Sequence, residues 1–384
     1  MKEGWEIKTL GDLANIKGGK RVPKGYRLET EPTNHPYIRV TDFNDNGTVE
    51  LSDIHYISNS VFEQIKNYTI STKDLYISIA GTIGKTGIIP NELEGANLTE
   101  NACKLVFKTE VDPKFVYYFT QTDDFTQQAG LNTRVTAMPK LALSRLSTIS
   151  FLFPKSLPEQ QRIVQLLDEA FEKIDTFKAN AERNLQNAKE LFQSALTEEF
   201  KPRKGWESKT LNQISENLDS KRVPITKNVR NEGEIPYYGA SGIVDYVADY
   251  LFDEDLLCIS EDGANLLART YPIAFSISGK TWVNNHAHVL RFKEMVSQRF
   301  VELYLNSIKL DDYVSGMAQP KLNQAMLNKI PVPLPSLTEQ QTIVEHLDSL
   351  SARCKALEIN YQKTIAQCDE MKKAVLVKAF NGEL

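Results

Sequence analysis

The chain has 384 residues, of which 25% are charged and 41% hydrophobic, and its formal net charge at pH 7 is −5. This length is enough for two or three domains with sizeable cores, and no apolar run approaches the roughly 18 residues that a membrane span needs. Because the net charge is negative, any nucleic acid must be bound by local basic clusters or with help from a partner.

The start of the chain, MKEGWEIKTL, is polar and has no apolar h-region, so no secretory signal is visible. The four cysteines show no CxxC spacing. A reduced, cytoplasmic protein without structural zinc or another cofactor is therefore expected.

Short apolar runs bounded by Gly, Asp and Asn predict strands, and runs with helical periodicity between them predict helices. The predicted strands include TKDLYISIAG, ACKLVFK, DLLCISEDG, YPIAFSISG and AHVLRF, and the predicted helices include FVYYFTQTDDFTQQ and QRFVELYLNSIKLDDYV. This mixture predicts α/β (α+β mixed) globular domains.

A glycine-rich stretch at 81–87, GTIGKTG, looks like a nucleotide-binding loop. A P-loop needs a glycine five residues before the glycine of its GK pair, where this stretch has Ile79 and a second GKT at 279–281 has Ala274. No GxGxxG loop, amino-methyltransferase motif or HExxH motif is present. The chain is therefore predicted to be non-enzymatic, and an NTPase at GTIGKTG stays as an alternative that ATP binding would support.

From 159 to 200 the chain has no Gly or Pro, and apolar or small residues recur at heptad spacing. The predicted seam is Ile163, Leu167, Ala170, Ile174, Phe177, Ala181, Ala188, Leu191 and Ala195. Adding 180 gives a second seam of Ile343, Leu347, Leu350, Cys354, Leu357, Tyr361, Cys368, Met371 and Val375. Both have a polar member at the same place, Asn184 and Thr364, and two such helices are predicted to form an antiparallel coiled coil.

The chain is a tandem repeat. GWE, KTL and KRVP recur at an offset of 201, PKL at 181 and the EQQ helix start at 180, so the ends of each copy are retained while the middles differ. The predicted division is 1–156 and 201–336 for two globular domains, followed by helices at 157–200 and 337–384.

In this order and duplication, the motifs resemble the specificity (S) subunits of type I restriction-modification systems over essentially the whole chain. The carrying stretches are 4–25, PYIRVTDF at 36–43, ISIAGTIGKTGII at 77–89, LPEQQRIVQLLDEAFEKID at 157–175, GWESKTLNQISE at 205–216, IPYYGASGIVDY at 235–246, ISEDGANLL at 259–267, WVNNHAHVLRF at 282–292, LPSLTEQQTIVEHLDSL at 334–350 and KAFNGEL at the end.

The resemblance implies that each globular domain is a target recognition domain for one half of a bipartite double-stranded DNA sequence. The helices would set the spacer and dock two modification (methyltransferase) subunits, which restriction subunits then join. A coiled-coil scaffold whose globular domains bind protein is the other hypothesis, and no membrane partner is expected.

Basic, amide and hydroxyl side chains in the loops are the candidates for DNA contact, because Arg and Asn suit base edges and Lys suits phosphate. In the first half they are Lys20, Arg21, Lys24, Arg39, Thr41, Asp42, Lys85, Asn101, Arg134 and Lys140. In the second half they are Lys221, Arg222, Tyr238, Ser241, Asn265, Lys280, Asn285, His286, Gln319 and Lys321.

Two further groups have alternative interpretations. The candidates for partner docking open the two long helices: Glu159, Gln160, Gln161, Glu339, Gln340 and Gln341. A helix-capping role is the alternative for the two glutamates. His286 and His288 are two ligands short of a metal site, so no metal is predicted.

Overall fold

The computed structural model describes residues 2–108, 110–131, 140–201, 203–316 and 318–384. They fall into two compact units: unit 1 is Met1–Asn180 with Thr364–Leu384, and unit 2 is Ala181–Lys363. Each unit therefore contains one globular part and a portion of each long helix. The four-segment division stays a prediction.

Unit 1 contains short strands, short helices and the beginning of a long helix. The strands are β1 (Trp5–Thr9), β2 (Ala14–Gly18), β3 (Pro36–Ile38), β4 (His55–Tyr56), β5 (Leu75–Ser78), β6 (Thr86–Gly87), β7 (Asn97–Leu98), β8 (Ala102–Phe107) and β9 (Ser150–Pro154). The helices are α1 (Leu10–Leu13), α2 (Asn59–Ile65), α3 (Pro113–Thr120), α4 (Asp123–Ala129), α5 (Leu143–Thr148) and α6 (Leu157–Glu199), which continues into unit 2.

Unit 2 has the same kinds of element. Its strands are β10 (Glu207–Thr210), β11 (Glu216–Asn217), β12 (Ile235–Gly239), β13 (Gly242–Val247), β14 (Phe252–Asp253), β15 (Leu256–Ser260), β16 (Ala274–Ile277), β17 (Lys280–Val283), β18 (Ala287–Arg291) and β19 (Pro331–Leu334). Its helices are α7 (Leu211–Ile214), α8 (Asn265–Ala268), α9 (Met295–Ser307), α10 (Gln324–Leu327) and α11 (Leu337–Phe380), which continues into unit 1.

The sheets of the two units repeat one topology. Strands β2-β8-β5-β6 lie side by side in unit 1, and β11-β18-β15-β16 lie side by side in unit 2. A second sheet has the order β4-β3-β7 in unit 1 and β13-β12-β17-β14 in unit 2. Within these second sheets, β3–β7 and β12–β17 pair in parallel. This mixed α/β architecture, present twice, confirms the predicted fold class.

Burial of each sheet against helices forms the cores. In unit 1, the inner face of β5 packs with α3 around Phe115 and Phe119, and the end of the long α11 joins the same cluster through Leu376 and Ala379. In unit 2, Phe300 of α9 lies in the corresponding cluster. Every cysteine of the chain is buried and unpaired, and burial raises the pKa of the Cys103 thiol to about 12. Among the described residues, no helix is both long and apolar enough to cross a membrane.

The long helices run in opposite directions where they meet inside a unit. In unit 1, Asp175 lies 2.5 Å from Lys372 and Lys178 lies 2.7 Å from Asp369, so positions that rise along α6 meet positions that fall along α11. In unit 2, a carboxylate oxygen of Glu199, near the end of α6, lies 3.1 Å from Nδ1 of His346, near the start of α11. The expected antiparallel direction holds within each unit, and a continuous coiled coil stays a prediction.

Two members of each predicted heptad seam are wrong by a single residue. Phe177 and Leu191 are 57% and 52% exposed, as are Leu357 and Met371 in α11 at 41% and 52%. The half-buried position next to Phe177 is Lys178. The pattern of apolar residues did not predict the burial of Lys178, because a lysine can bury its methylene stem while its ammonium group reaches solvent. The other members of the first seam are buried or half-buried as predicted, with Leu167, Ile174, Ala181 and Ala188 among the buried ones.

Candidate nucleic-acid interface

One parallel strand pair in each unit fixes where the candidate interface begins. Tyr37 of β3 pairs with Asn97 of β7, and Tyr237 of β12 pairs with Trp282 of β17. Because parallel strands point the same way, the segments that follow them leave the sheet at one edge. Those segments carry the predicted DNA-contacting residues Arg39, Thr41, Asn101, Ser241, Asn285 and His286.

The glycine loops after β5 and β15 reach the same edge. Ser78 is the last residue of β5 and pairs with the first residue of β8. Ser260 is the last residue of β15 and pairs with the first residue of β18. Three residues further on, Gly81 and Gly263 have φ of +75° and +110°, which favours glycine. The two loops therefore correspond, in agreement with the sequence repeat.

Duplicated lysines join this edge through the backbone. The amide that follows Lys140 donates to the carbonyl of Ile79 at 2.8 Å, and the amide that follows Lys321 donates to the carbonyl of Glu261 at 2.8 Å. Each lysine is therefore held beside the glycine loop of its unit.

The duplicated KRVP loops complete the surface. The Tyr37 hydroxyl donates to the carbonyl of Lys20 at 2.9 Å, and the Tyr237 hydroxyl accepts from the amide of Ile225 at 3.0 Å. Equivalent segments thus converge in both units. We call these surfaces face 1 (20–24, 39–42, 81–85, 99–101 and 140) and face 2 (221–224, 240–243, 261–265, 284–286 and 319–321).

Face 1 opens into a cleft of about 720 Å³. Several residues that the sequence predicted to contact DNA line it together, namely Arg21, Arg39, Thr41 and Asn101. The tip of the glycine loop, Gly81, lies on its wall. The structure thus brings side chains from three distant chain segments to one concave surface.

Arg21 is an openly presented cation of face 1. Its side chain is 77% exposed, and its Nε donates to Glu100. Burial opposes ionisation of Glu100, but hydrogen bonds from Arg21 and neighbouring groups hold the pKa of this carboxyl below its usual value. Lys140 donates to the carbonyl of Glu100 at 2.9 Å. Glu100 binds Arg21 through Nε and Arg21 lines the cleft, so its terminal amino groups are available to bind a base edge.

Arg39 and Asp42 hold each other instead. Arg39 Nη2 donates to Asp42 Oδ1 at 2.6 Å and to Asp53 Oδ2 at 3.0 Å, and Asp42 is 4% exposed. Thr41 between them is exposed. The Arg39–Asp42 pair therefore shapes the wall of the cleft, and Thr41 is the accessible group of this segment.

The glycine loop at 81–87 is closed on itself. Ser78 Oγ donates to the carbonyl of Thr82 at 2.6 Å and accepts from the amide of Lys85 at 2.8 Å. The Lys85 ammonium donates to the carbonyl of Phe43 at 3.0 Å and pairs with Asp45 at 2.9 Å. Because the amide and the ammonium group of Lys85 are engaged within the unit, this lysine does not serve as the phosphate-binding lysine of a P-loop.

Other face 1 predictions lie at its rim. Lys20 and Lys24 are exposed, and the Lys20 ammonium lies 5.6 Å from the ring centroid of Tyr68. Arg134 lies outside the described residues.

Arg222, the counterpart of Arg21 on face 2, is largely enclosed. Its side chain is 12% exposed, and its Nη1 donates to Glu261 Oε2 and to the carbonyl of Ala287, both at 2.7 Å. Its Nε donates to the carbonyl of Asp219 at 3.1 Å. With these donors engaged, Arg222 orders the loop, and Lys321, 52% exposed and 3.1 Å from Glu261, is an accessible cation, as is the exposed Lys221.

Arg222 and the buried His288 share Asp219 as a partner. The Nδ1 of His288 is 2.6 Å from Asp219 Oδ2 and its Nε2 is 2.7 Å from the carbonyl of Leu322, which can only accept. Burial opposes ionisation of Asp219, but the hydrogen bond and charge of His288 hold the pKa of this carboxyl below its usual value. Similarly, burial opposes ionisation of Glu261, but Arg222, His288 and Lys321 together outweigh it and lower the pKa of this carboxyl.

Asp219, Glu261 and His288 place possible metal-ligating atoms within 4.8 Å of one another. However, both nitrogens of His288 already have acceptors, and Arg222 supplies the positive charge between the carboxylates. The cluster is therefore an internal ion-pair network and does not fit a metal site.

The remaining face 2 predictions divide into accessible and structural groups. Lys221, Ser241, Asn285 and Gln319 are exposed, as is His286, whose Nδ1 lies 2.8 Å from Asp262. Asn265 is 7% exposed, and its Oδ1 accepts from the amides of Thr270 and Tyr271. Asn265 therefore holds its own turn.

Two predictions lie further along the sheet. Tyr238 is half-buried, with its ring centroid 5.9 Å from that of Phe275. Lys280 is exposed, with its ammonium 4.7 Å from the ring centroid of Tyr250.

The first glutamine of each EQQ start is a buried clamp. Gln160 Oε1 accepts from the amide of Asp112 at 2.8 Å and its Nε2 donates to the carbonyl of Pro154 at 3.0 Å. Gln340 accepts from Ser297 at 2.8 Å and donates to the carbonyl of Pro335 at 2.9 Å. Both amides therefore attach a long helix to the globular part of its unit.

The other residues of the EQQ starts lie nearer the surface. Glu159 accepts two hydrogen bonds from Arg162, and Glu339 accepts one from Trp206 Nε1 at 2.9 Å. Gln161 and Gln341 are exposed. The exposed glutamines are the members of this group that remain open to a partner.

Sequence reasoning missed the acidic groups that hold the duplicated arginines. Glu100 holds Arg21, whereas Glu261 and Asp219 hold Arg222. These acids occupy different positions of the repeat, so the alignment of the two halves does not reveal them. The usable signal was local: Asp219 lies three residues before Arg222, within reach across one turn.

Two α/β modules with equivalent loop surfaces, joined to long helices, define a duplicated recognition protein. A family model described as type I restriction modification DNA specificity domain matches residues 2–185 and again residues 203–367. The chain belongs to this family and contains two copies of its domain.

Curated relatives include specificity subunits that match the chain in part or in full. A putative type I restriction enzyme specificity subunit of Haemophilus influenzae is 38% identical over 146 residues, 38% of this chain and only 37% of that relative. The EcoBI type I specificity subunit of Escherichia coli is 23% identical over 100% of this chain and 87% of its own length.

Solved structures share the fold at low identity. A chain from a structure on complex assembly and conformational transition of the type I R-M system has a TM-score of 0.79 at 17% identity, covering 100% of this chain and 99% of that chain. The HsdS subunit from Thermoanaerobacter tengcongensis has a TM-score of 0.66 at 19% identity, covering 100% and 98%.

Proposed function

We propose that this chain is the non-catalytic specificity subunit of a cytoplasmic type I restriction-modification complex, in which each unit reads one half of a bipartite double-stranded DNA target. The observation that carries the proposal is the convergence of equivalent segments on face 1 and face 2, with different side chains at their accessible positions. A protein that reads two different half-sites needs this combination, because the framework positions the duplex while the side chains select bases.

On face 1, Arg21 and Asn101 have the donors and acceptors that suit base edges, and Lys140 suits a phosphate. On face 2, Asn285 and His286 are the accessible groups for base edges, and Lys321 suits a phosphate. The formal net charge of −5 supports shared neutralisation of the DNA backbone, in which partner subunits supply further positive charge.

The helices are proposed to dock two modification (methyltransferase) subunits, which restriction subunits then join. The support is a repeated set of exposed apolar side chains. Phe177 and Leu357 are equivalent at offset 180, as are Leu191 and Met371, and all are at least 41% exposed. Two copies of one partner require two copies of one docking surface, and repeated apolar exposure on a charged helix is typical of such surfaces.

Methylome mapping of cells with and without the gene tests the proposed function. The expected result is a bipartite methylated motif, two defined half-sites around a spacer, that disappears with the gene. Loss of a contiguous motif, or no change in methylation while partner subunits are present, would contradict it. The other hypothesis, a scaffold whose globular parts bind protein, is not favoured by the family assignment.

A further inference from the structure

The edge strand of face 2 exposes apolar side chains that the fold does not cover. In β13, Ile243 is 49%, Val244 55% and Tyr246 51% exposed. This strand is at the edge of its sheet, where its backbone has a partner on one side only. An uncovered apolar edge promotes association, so natural proteins usually place charge there. An apolar edge next to a recognition surface therefore indicates a binding surface.

A β-bulge accounts for the exposure of two consecutive apolar residues. Tyr237 pairs with Asp245 and Tyr238 pairs with Ile243, which leaves Val244 as the extra residue of β13. A bulge breaks the alternation of side chains and redirects one of them. A Cβ at Gly239 would lie 3.0 Å from Val244 Cγ1, so glycine leaves the room that this placement needs.

The tip of the β12–β13 hairpin is tied to face 2. Ser260 Oγ donates to the carbonyl of Ala240 at the tip. The neighbouring Ser241 hydroxyl lies 3.1 Å from the hydroxyl of Tyr271, which is 46% exposed. The residue after Ser260 is Glu261, which binds the cations of face 2. The apolar edge is thus continuous with the candidate DNA interface.

We propose that the β12–β13 hairpin enters the major groove of the half-site read by unit 2, and that Ile243 and Val244 contact the C5-methyl group of a thymine. The proposal deepens the proposed function and rests on it. The major groove admits a two-stranded β-ribbon, and the thymine methyl is the apolar group that distinguishes an A·T pair there. Aliphatic side chains at a ribbon edge match that group.

Unit 1 differs at the equivalent place. The segment after β3 carries the ion-paired Arg39 and Asp42, and β4, the counterpart of β13, has only His55 and Tyr56. Face 1 therefore presents polar groups where face 2 presents aliphatic ones. Sensitivity to thymine methyl groups is assigned to one half-site only.

The test uses the complete complex of this chain with its methyltransferase subunits and duplexes that carry the mapped target. Each thymine in both half-sites is replaced in turn by deoxyuridine, which pairs identically and lacks only the methyl group. Loss of one buried methyl contact is expected to weaken binding about fourfold. The expected effect occurs at one or more thymines of a single half-site, the one whose recognition Arg21→Ala leaves unchanged.

Variants then assign the effect to the hairpin. Ile243→Ala or Val244→Ala should bind the thymine and deoxyuridine duplexes equally, while retaining the selectivity of the other half-site. Ile7→Ala is the matched control, because Ile7 is a 66% exposed strand residue of unit 1, and it should keep the full preference for thymine.

Selective binding without any deoxyuridine effect, a unit 2 half-site without an A·T pair, or an unchanged preference in both hairpin variants would overturn the proposal and leave the proposed function intact. Weaker binding of the methyltransferase subunit by the hairpin variants, with no change in thymine preference, would assign the edge to protein and overturn it as well. Absence of sequence selectivity in the wild-type complex would overturn both proposals.

Discussion

Arg21 and Arg222 occupy the same position of a duplicated loop, yet the side chain of Arg21 is 77% exposed and that of Arg222 is 12% exposed. The difference follows from where the acid lies. Glu100 holds Arg21 by its Nε edge, whereas Glu261, Asp219 and a backbone carbonyl engage Arg222 from several sides. We therefore expect one motif to support binding in unit 1 and stability in unit 2.

Arg21→Ala is expected to weaken DNA binding and to relax base selectivity in the half-site read by unit 1, with the fold intact. Loss of a bidentate base contact costs about 1–3 kcal/mol. Fluorescence anisotropy with duplexes varied one base pair at a time measures the effect. Arg27→Ala is the control, because it removes an exposed arginine six residues further along that has no ion pair among the described residues. Equal loss in both variants on all duplexes would mean that Arg21 supplies charge alone.

Arg222→Ala is expected to destabilise unit 2, because it leaves Glu261 and Asp219 buried without this cation. Removing one member of a buried ion pair costs about 3–5 kcal/mol. Hydrogen exchange of the complex should show weaker protection of β15 and β18, the strands that hold the network. Lys221→Ala changes the exposed neighbour and should stay within about 0.5 kcal/mol of the wild type. Unchanged protection in Arg222→Ala would show that the network is dispensable.

The buried Asp219 makes the stability of unit 2 dependent on acid. Burial opposes its ionisation, but His288 and neighbouring donors outweigh burial and lower its pKa below 3.8. A lowered pKa means that the ionised carboxylate stabilises the fold above pH 3.8, and that this stabilisation is lost as the pH falls through the folded-state pKa.

Asp219→Asn should therefore unfold at lower urea concentration than the wild type at pH 7, and the difference in unfolding free energy should shrink below pH 3.8. Urea titrations followed by circular dichroism from pH 7 to about pH 3 measure it. Asp249→Asn, at an exposed position, is the control. A difference that stays constant down to the lowest pH would contradict the assignment.

The sequence predicted the framework better than the side-chain roles, for a physical reason. Strand and helix positions follow from local patterns of apolar residues, and the equivalence of Gly81 with Gly263 could be read from the repeat. Whether a loop arginine is free or enclosed depends on acids that are distant in sequence, such as Glu100. Local pattern carries no information on the contacts of Glu100 and Glu261, and Asp219 was the one local signal that could have distinguished Arg222 from Arg21.

The helix seam shows the same limit. Phe177 fits an apolar seam position by its chemistry, but the structure exposes it and half-buries Lys178. Lysine satisfies both requirements through its apolar stem and charged end, so the pattern of apolar residues could not choose between the two phases.

Exposure of Phe177 and Leu357 leads to a prediction on stoichiometry. Phe177→Ser and Leu357→Ser should each weaken the docking of one methyltransferase copy, and the double variant should lose both. Mass photometry of the assembled complex counts the copies. Ile359→Ser is the matched control, because Ile359 is 65% exposed on the same helix but its repeat counterpart is Ala179. Full assembly in the double variant would place the docking surface elsewhere.

The helices are also proposed to set the spacer between half-sites, and a heptad deletion tests this. Removing residues 178–184 from α6 and the equivalent 358–364 from α11 keeps the heptad phase and shortens each helix by about 10 Å, since each residue rises about 1.5 Å. At about 3.4 Å per base pair, the spacer of the methylated motif should shorten by about three base pairs. Methylome mapping reads the spacer directly. A deletion of four residues from each helix breaks the heptad phase and should abolish methylation, whereas a methylated motif with its original spacer in the heptad variant would exclude the helices as the ruler.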